Sequence, residues 1–480
     1  MNRKMVFFTL GQLLLIEAAL MVLPLIVALI YKEPTALHFL ATIIATAVTG
    51  GVLMLTLRKH STVIYAREGF AIVSISWIAL SLFGALPFFL SNEIPNYIDA
   101  FFETVSGFTT TGASILENVE ALSHGMLFWR SFTHWIGGMG VLVFYMAILT
   151  GASEKSMHIM RAEVPGPIVG KLVPKAKDTA RVLYLIYIFL TVIETIMLLF
   201  GGMPFFDSVV RSFGTAGTGG FGIKADSLAG YSPYCQWVIT AFMIVFGINF
   251  NLYYLLLIRR FKSVLKSTEL WVYLGIVSAA VTVIAINVYS MYGSVSEAIR
   301  NSAFQVASIV STTGYSTVDF NLWPGLSKTI LLLLMFIGSC AGSTAGGLKV
   351  SRIIIILKMC RNELRHMLNP RSVNVVKIDG KQVDSATLKN AANYFSLYMF
   401  CFAIIFLLLA FEPFSFETNF SATAACFNNI GPGFDAVGPS ANFFAYSPFS
   451  KLLLSFAMFL GRLEIFPMIL LFSKGLWRKK

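Results

Sequence analysis

The chain has 480 residues, 56% of them hydrophobic and only 12% charged, with a mean hydropathy of +0.75 and a net charge of +12. Soluble domains carry roughly 25% charged residues, so a water-soluble fold of this size is excluded and an all-α polytopic membrane protein is expected. The five cysteines form no CxxC pair and the six histidines show no ligand spacing, so neither a disulfide framework nor a zinc site follows.

Arg3 and Lys4 open an apolar run to Ile30. It is too long for a signal-peptide core and lacks a small-residue cleavage site, so it reads as a retained first span. Apolar runs bounded by charge, Gly or Pro predict ten spans, near 5–31, 36–57, 69–90, 125–150, 180–202, 236–258, 270–292, 327–348, 392–411 and 449–473. An even number puts both termini on one side. That side carries 28 of the 36 Lys and Arg residues, which by the positive-inside rule makes it the cytoplasm. The basic surplus is therefore topogenic. It implies no nucleic-acid partner, while an acidic protein or anionic lipid remains compatible with it.

After spans three, five, seven and nine the chain continues into a short, mildly apolar segment, then a Gly/Thr/Ser/Asn-rich tract, then the next span. The four tracts align without gaps: Thr109-Thr110-Thr111-Gly112-Ala113, Gly217-Thr218-Gly219-Gly220-Phe221, Ser311-Thr312-Thr313-Gly314-Tyr315 and Asn428-Asn429-Ile430-Gly431-Pro432. Gly112, Gly220, Gly314 and Gly431 are common to all. About ten residues of helical character precede each tract, as in Ala100–Phe108 and Asn301–Val310. Internal repeats set architecture. The expected unit is outer span, re-entrant half-helix, glycine strand and inner span, repeated four times around a pseudo-fourfold pore. A two-span preface, 1–67, precedes repeats at 68–155, 156–262, 263–391 and 392–480.

Non-helical backbone at membrane depth is tolerated only where it lines a wet cavity or is buried in protein. Glycine lets successive carbonyl oxygens aim at one axis, which is how a dehydrated cation is held. Half-helices ending at that axis add negative potential. The candidate cation ligands are thus the carbonyls of Thr110, Thr111, Gly112, Thr218, Gly219, Gly220, Thr312, Thr313, Gly314, Asn429, Ile430 and Gly431. No Asp or Glu stands among them, which favours a monovalent alkali ion over a divalent one.

Two further features fall inside spans. The run Gly338-Ser339-Cys340-Ala341-Gly342-Ser343-Thr344-Ala345-Gly346-Gly347-Leu348-Lys349 should unwind the eighth span. It is no Walker A loop: Gly342 and Gly347 have the first spacing, but Leu348 stands where lysine is required and no strand precedes it. Arg462 sits near the middle of the last predicted span, where a charge should face the bundle interior or a wet pore. Its sequence neighbour Glu464 is awkwardly placed on a helix to pair with it. Glu17 and Glu194 are acids within spans to which no role is assigned. Glu93, Asp99, Glu103, Glu117 and Glu120 around the first mouth form either a cation-concentrating rim or a solvated one.

With its lead-in, the first tract reads Val105-Ser106-Gly107-Phe108-Thr109-Thr110-Thr111-Gly112-Ala113. It resembles the first filter of the Trk/Ktr/HKT superfamily of potassium transporters, and the resemblance extends over essentially the whole chain. The two-span preface is similar to that of TrkH-like pore subunits. The resemblance implies several things that the residues alone do not. They are a single-file potassium pathway, a homodimer, a bacterial inner-membrane location, and a cytoplasmic ring of RCK-type, TrkA-like subunits binding NAD or an adenine nucleotide. It also implies that the broken eighth span, with Gly338, Gly342, Ser343, Gly346 and Gly347, lies under the filter as a gate, and that Arg462 points into the pathway below it. Glycine at position 112 is the family's potassium-selective choice, whereas some plant members carry serine there and favour sodium. The second and fourth tracts depart most from a threonine-rich pattern. No catalytic cluster is found at membrane depth, so an enzyme is not expected. A sodium- or proton-coupled potassium symporter of the same fold is the alternative.

Overall fold

The structure is a computed structural model that describes residues 1–58, 65–140, 176–371 and 374–477. Among the described residues, six helices are long and apolar enough to cross a membrane, or seven if one bent pair is a single span. The chain is an all-α, multi-pass membrane protein. Its outer surface carries Ile44, Leu55, Phe189, Phe200, Ile286 and Leu407 exposed, as suits a lipid solvent.

The preface is a helical span over Arg3–Ile30 and a second over Thr35–Thr56. They cross at backbone contact. A Cβ on Gly11 would lie 2.8 Å from the Gly50 carbonyl oxygen, and one on Gly50 equally close to that of Gly11, the close approach that small residues permit between membrane helices. The turn between the two spans reaches into the first repeat. Glu33 accepts hydrogen bonds from the backbone N–H groups of His124 at 2.7 Å and Gly125 at 3.0 Å. A carboxylate thus satisfies the open N-terminus of the following helix.

Four units follow in chain order. Their outer helices are Ala66–Gly84 (continued by Leu86–Leu90), Ala176–Phe200, Thr268–Tyr292 and Ser385–Leu409. Each leads into a buried half-helix: Tyr97–Phe108, Phe205–Gly217, Val295–Val310 and Phe416–Phe427. Asn96 and Ser415 cap two of these through their side chains. All four carry an acid in the first turn, namely Asp99, Asp207, Glu297 and Glu417. Negative charge at the N-terminus complements the helix dipole and leaves the opposite, carbonyl end of each half-helix for the centre of the molecule.

The inner helices depart from the expected straight spans. The span expected at 236–258 is two helices, Pro233–Phe246 and Phe250–Leu257, bent by 91°. Asn249 caps the second by accepting from the Asn251 N–H at 2.9 Å. The span expected at 449–473 stops at Arg462 and resumes at Phe466–Leu471, with Glu464 and Ile465 both at φ +62° between them. Arg462 is therefore the last residue of a helix and not the middle of one. The third inner helix, Gly325–Ile337, opens as expected into a loop before Val350–Leu368. The first, His124–Gly138, ends before Gly140 at φ +88°, and the remainder of the span expected at 125–150 lies outside the described residues. All four inner helices thus lose regular structure behind the ends of the half-helices. Beyond Val350–Leu368 the chain forms a hairpin, Lys377–Ile378 against Lys381–Gln382, before the fourth outer helix.

Candidate permeation site

Each half-helix ends in the same two-step backbone feature. Thr110, Thr218, Thr312 and Asn429 are left-handed at φ +55°, +55°, +57° and +55°. Two residues on, Gly112, Gly220, Gly314 and Gly431 stand at +82°, +75°, +83° and +100°. The first flip ends the helix; the second needs glycine, since a side chain is strained there. The gapless alignment of the four tracts is therefore also an alignment of conformation.

The tracts close into a ring. A Cβ on Gly112 would overlap the carbonyl oxygen of Gly219, one on Gly220 that of Thr313, and one on Gly314 that of Ile430. One on Gly431 would meet the carbonyl oxygen of Thr111 at 2.8 Å. Each strand faces the next, and the fourth returns to the first. Among the described residues, no N–H or O–H group donates to the carbonyl oxygens of residues 110–112, 218–220, 312–314 or 429–431. The non-glycine residues at these positions are buried. Buried carbonyls are nearly always paired, so a ring of unpaired ones is oxygen available to a cation.

Side chains fix the ring from behind. The hydroxyls of Thr109 and Thr111 bond each other at 2.8 Å, as do those of Ser311 and Thr313 at 2.7 Å. Asn429 Nδ2 donates to Thr111 Oγ1 and to the Met458 carbonyl, both at 3.0 Å. The His134 ring bridges two tracts: Nδ1 lies 2.8 Å from the Gly107 carbonyl, and Nε2 accepts from the Phe221 N–H at 3.3 Å. The His134 ring and the side-chain amide of Asn429 are contacts across the ring that the sequence pattern had not singled out.

A vestibule of about 140 Å³ opens above the four glycines. Of the five acids considered for its rim, Glu117 lines it. Asp99 is buried on Lys451 Nζ at 2.6 Å. Glu103 is buried on Arg130 Nε at 2.6 Å and accepts from Ser114 and Ile115. Glu93 and Glu120 accept from the Ser123 and Ala225 N–H groups. Asp99, Glu103 and Glu93 are thus tied into the mouth, while Glu117 and Glu120 are exposed at it. Glu17 and Glu194 are buried.

The loop after Ile337 lies against the underside of the ring. Gly338, Gly342, Gly347 and Lys349 take φ values of +67°, +70°, +76° and +76°. The Gly346 N–H donates to Thr312 Oγ1 at 2.7 Å, and a Cβ on Gly346 would overlap the Asn428 carbonyl oxygen. Ser343 Oγ bonds the Cys340 carbonyl at 2.7 Å within the loop. The loop also borrows the kink of the second inner helix: Cys340 N–H donates to the Gly247 carbonyl and Phe250 N–H to that of Gly342. Arg462 reaches three carbonyls, Thr344 in the loop at 2.7 Å and Gly137 and Gly138 at the end of the first inner helix at 2.6 Å each. Glu464 pairs instead with Arg352, whose guanidinium covers the Tyr394 ring at 3.8 Å. Repeats one, three and four thus meet at Arg462.

Residues 36–479 match the TrkH family, described as a cation transport protein. The chain belongs to the TrkH family. It is 36% identical over 477 residues to the Trk system potassium uptake protein TrkH of Salmonella typhimurium, covering 98% of each chain. Identity to the Trk system potassium uptake protein TrkG of Escherichia coli is 33%, over 98% of this chain and 97% of that one. The crystal structure of the potassium transporter TrkH from Vibrio parahaemolyticus superimposes with a TM-score of 0.89 at 30% identity, covering both chains completely. This TrkH-family chain is a transport protein and not an enzyme.

Proposed function

We propose that this chain takes potassium up across a bacterial cytoplasmic membrane, with both termini in the cytoplasm and the four glycine tracts as the selectivity filter. The observation that carries the reading is the closed ring of unpaired carbonyls at the ends of four half-helices. Such a ring replaces the hydration shell of an alkali cation, while the carbonyl ends of the half-helices supply favourable potential. The names of the relatives at 33–36% identity point to the same cargo. Each of the four repeats then contributes one filter strand.

Below the filter, the loop around Gly342–Gly347 and Arg462 act as the gate. A fixed unit charge about 8 Å from the path costs a cation about 2 kcal/mol at an effective dielectric of 20, which exceeds a tenfold effect on rate. A homodimer, and a cytoplasmic ring of RCK-type subunits that bind NAD or an adenine nucleotide, complete the proposed assembly. The test is rubidium uptake into liposomes holding the purified protein, with sodium competition and an imposed voltage. Voltage-driven uptake that sodium neither drives nor blocks supports the reading. Uptake that requires a sodium or proton gradient would replace it with a coupled symporter.

A further inference from the structure

The gate loop has a neck, where residues 338–341 run beside 348–351. Two backbone bonds close it from within: Val350 N–H to the Ser339 carbonyl at 3.0 Å and Leu348 N–H to that of Phe336 at 3.2 Å. A third fastening comes from outside the loop. Glu269, in the first turn of the third outer helix, accepts from the Ala341 N–H at 2.7 Å and the Ser351 N–H at 3.1 Å through the same oxygen, Oε1. One carboxylate oxygen therefore takes a donor from each side of the neck. Bonds to an ionised acceptor are roughly twice as strong as neutral ones. The loop they hold is rich in glycine, so it gains unusual conformational freedom once released.

The adjoining residue ties the same turn to the basic face of the molecule. Thr268 donates its N–H to Asp379 Oδ1 at 2.7 Å. Asp379 and Gly380, at φ +51° and +77°, form the two-residue turn of the exposed hairpin, the conformation an Asp-Gly hairpin turn favours. The hairpin is also held by Lys358, whose Nζ donates to the Lys377 carbonyl at 2.7 Å. It therefore bridges the first turn of the third outer helix and the helix that leaves the loop.

We infer that Glu269 is a positioning residue that holds the gate loop closed, and that the hairpin at Asp379 is the handle through which a load on the basic face reaches it. This rests on the reading of the loop as the gate. A partner that displaces the hairpin moves the turn carrying Thr268 and Glu269, and the neck loses its outside fastening. The neck is then left to its two internal backbone bonds, and the rest of the loop to the contacts of Cys340, Gly342, Thr344 and Gly346.

Hydrogen exchange of the 338–351 backbone and rubidium flux, both on the full-length protein in liposomes, test the inference together. Glu269→Ala should raise exchange at the neck and basal flux, each by about tenfold. Glu269→Gln keeps a neutral acceptor and should lie between wild type and the alanine variant in both, whereas Glu269→Met, which fills the space without an acceptor, should match alanine, as a merely space-filling role would not. Should the alanine variant fail to fold, Glu269→Asp, one methylene short, should loosen the neck in the same direction. Asp379→Ala should give a smaller rise in both readings and add nothing in the Glu269→Ala background. Unchanged exchange in Glu269→Ala overturns the fastening. Raised exchange with unchanged flux overturns the gate reading itself. Full additivity of the Asp379 and Glu269 substitutions removes the hairpin from the route.

Discussion

The two halves of the proposed pathway are built on opposite plans. In the upper half, four tracts of different composition adopt one conformation, and their left-handed residues agree within 2° from Thr110 to Asn429. In the lower half, four inner helices break behind the ring in four ways: a glycine end at Gly138, a 91° bend at Gly247–Asn249, a loop after Ile337 and a strained turn at Glu464–Ile465. Holding an ion needs oxygens at equal distances around an axis, so deviation in any strand costs selectivity. Blocking an ion needs only one obstruction, and three of the repeats are free to brace it. The Arg462 contacts express this: a residue of repeat four bonds the loop of repeat three and the helix end of repeat one.

The sharpest way to break the comparison is to spoil the symmetric half alone. Gly112→Ser places a side chain where a Cβ already overlaps the Gly219 carbonyl. It should lower potassium-over-sodium discrimination by at least about tenfold in paired uptake assays, and retained discrimination would remove Gly112 from the filter. Altering the asymmetric half should do the reverse. Arg462→Ala should raise basal potassium flux about tenfold with selectivity intact, measured per amount of folded, dimer-sized protein. Lower normalised flux in well-folded protein would sink the gating role.

The basic face should matter for regulation and for nothing above it. Neutralising the exposed Arg371, Lys377, Lys381 and Lys389 should weaken capture of an RCK-type partner by about fivefold at low salt, and less at high salt. Unchanged capture would move the docking surface elsewhere. The docking surface expected from the sequence is the two basic stretches 151–181 and 350–391, and residues 151–175 of the first lie outside the described residues. The smallest effect belongs to the outer rim. Asp435 accepts from Ser415 Oγ and Thr418 Oγ1 at 2.6 Å each, and these bonds hold its carboxyl below the usual carboxylate range. A depressed value stabilises the fold above the unfolded carboxylate range near pH 4, and that gain is lost as pH falls through the folded value. Asp435→Asn should therefore lower Tm by about 2 °C at pH 7, with the difference from wild type vanishing in strong acid. A difference that persists there would assign the loss to packing.

The register of the upper half could be read directly from residues. A glycine recurring after similar short helices leaves a mark in sequence, because left-handed backbone accepts few other residues. The third inner helix was equally legible, since its glycines cluster from Gly338 to Gly347. Gly247 was not, because a lone glycine in an apolar run is tolerated within a helix. The break at Leu463–Ile465 contains neither glycine nor proline itself, and its local sign is the flanking pair Gly461 and Pro467, the latter in the first turn of the resumed helix. The fate of the rim acids was hidden for a different reason. Asp99 and Lys451 stand 352 positions apart, and no spacing rule reaches that far. Glu269 is a first-turn acid like those of other helices, and its bonds to the neck of the loop, 72 and 82 positions away, set it apart.

The return of Gly431 to the Thr111 carbonyl closes the ring within one polypeptide. In a pore assembled from four identical chains, every coding change strikes all four strands at once and is usually ruinous. Here a single codon alters one quarter of the ring. Asn429 can replace threonine, and Gly219 can replace Thr111 or Thr313, without their counterparts following. Such a lineage can tune its ion preference one strand at a time.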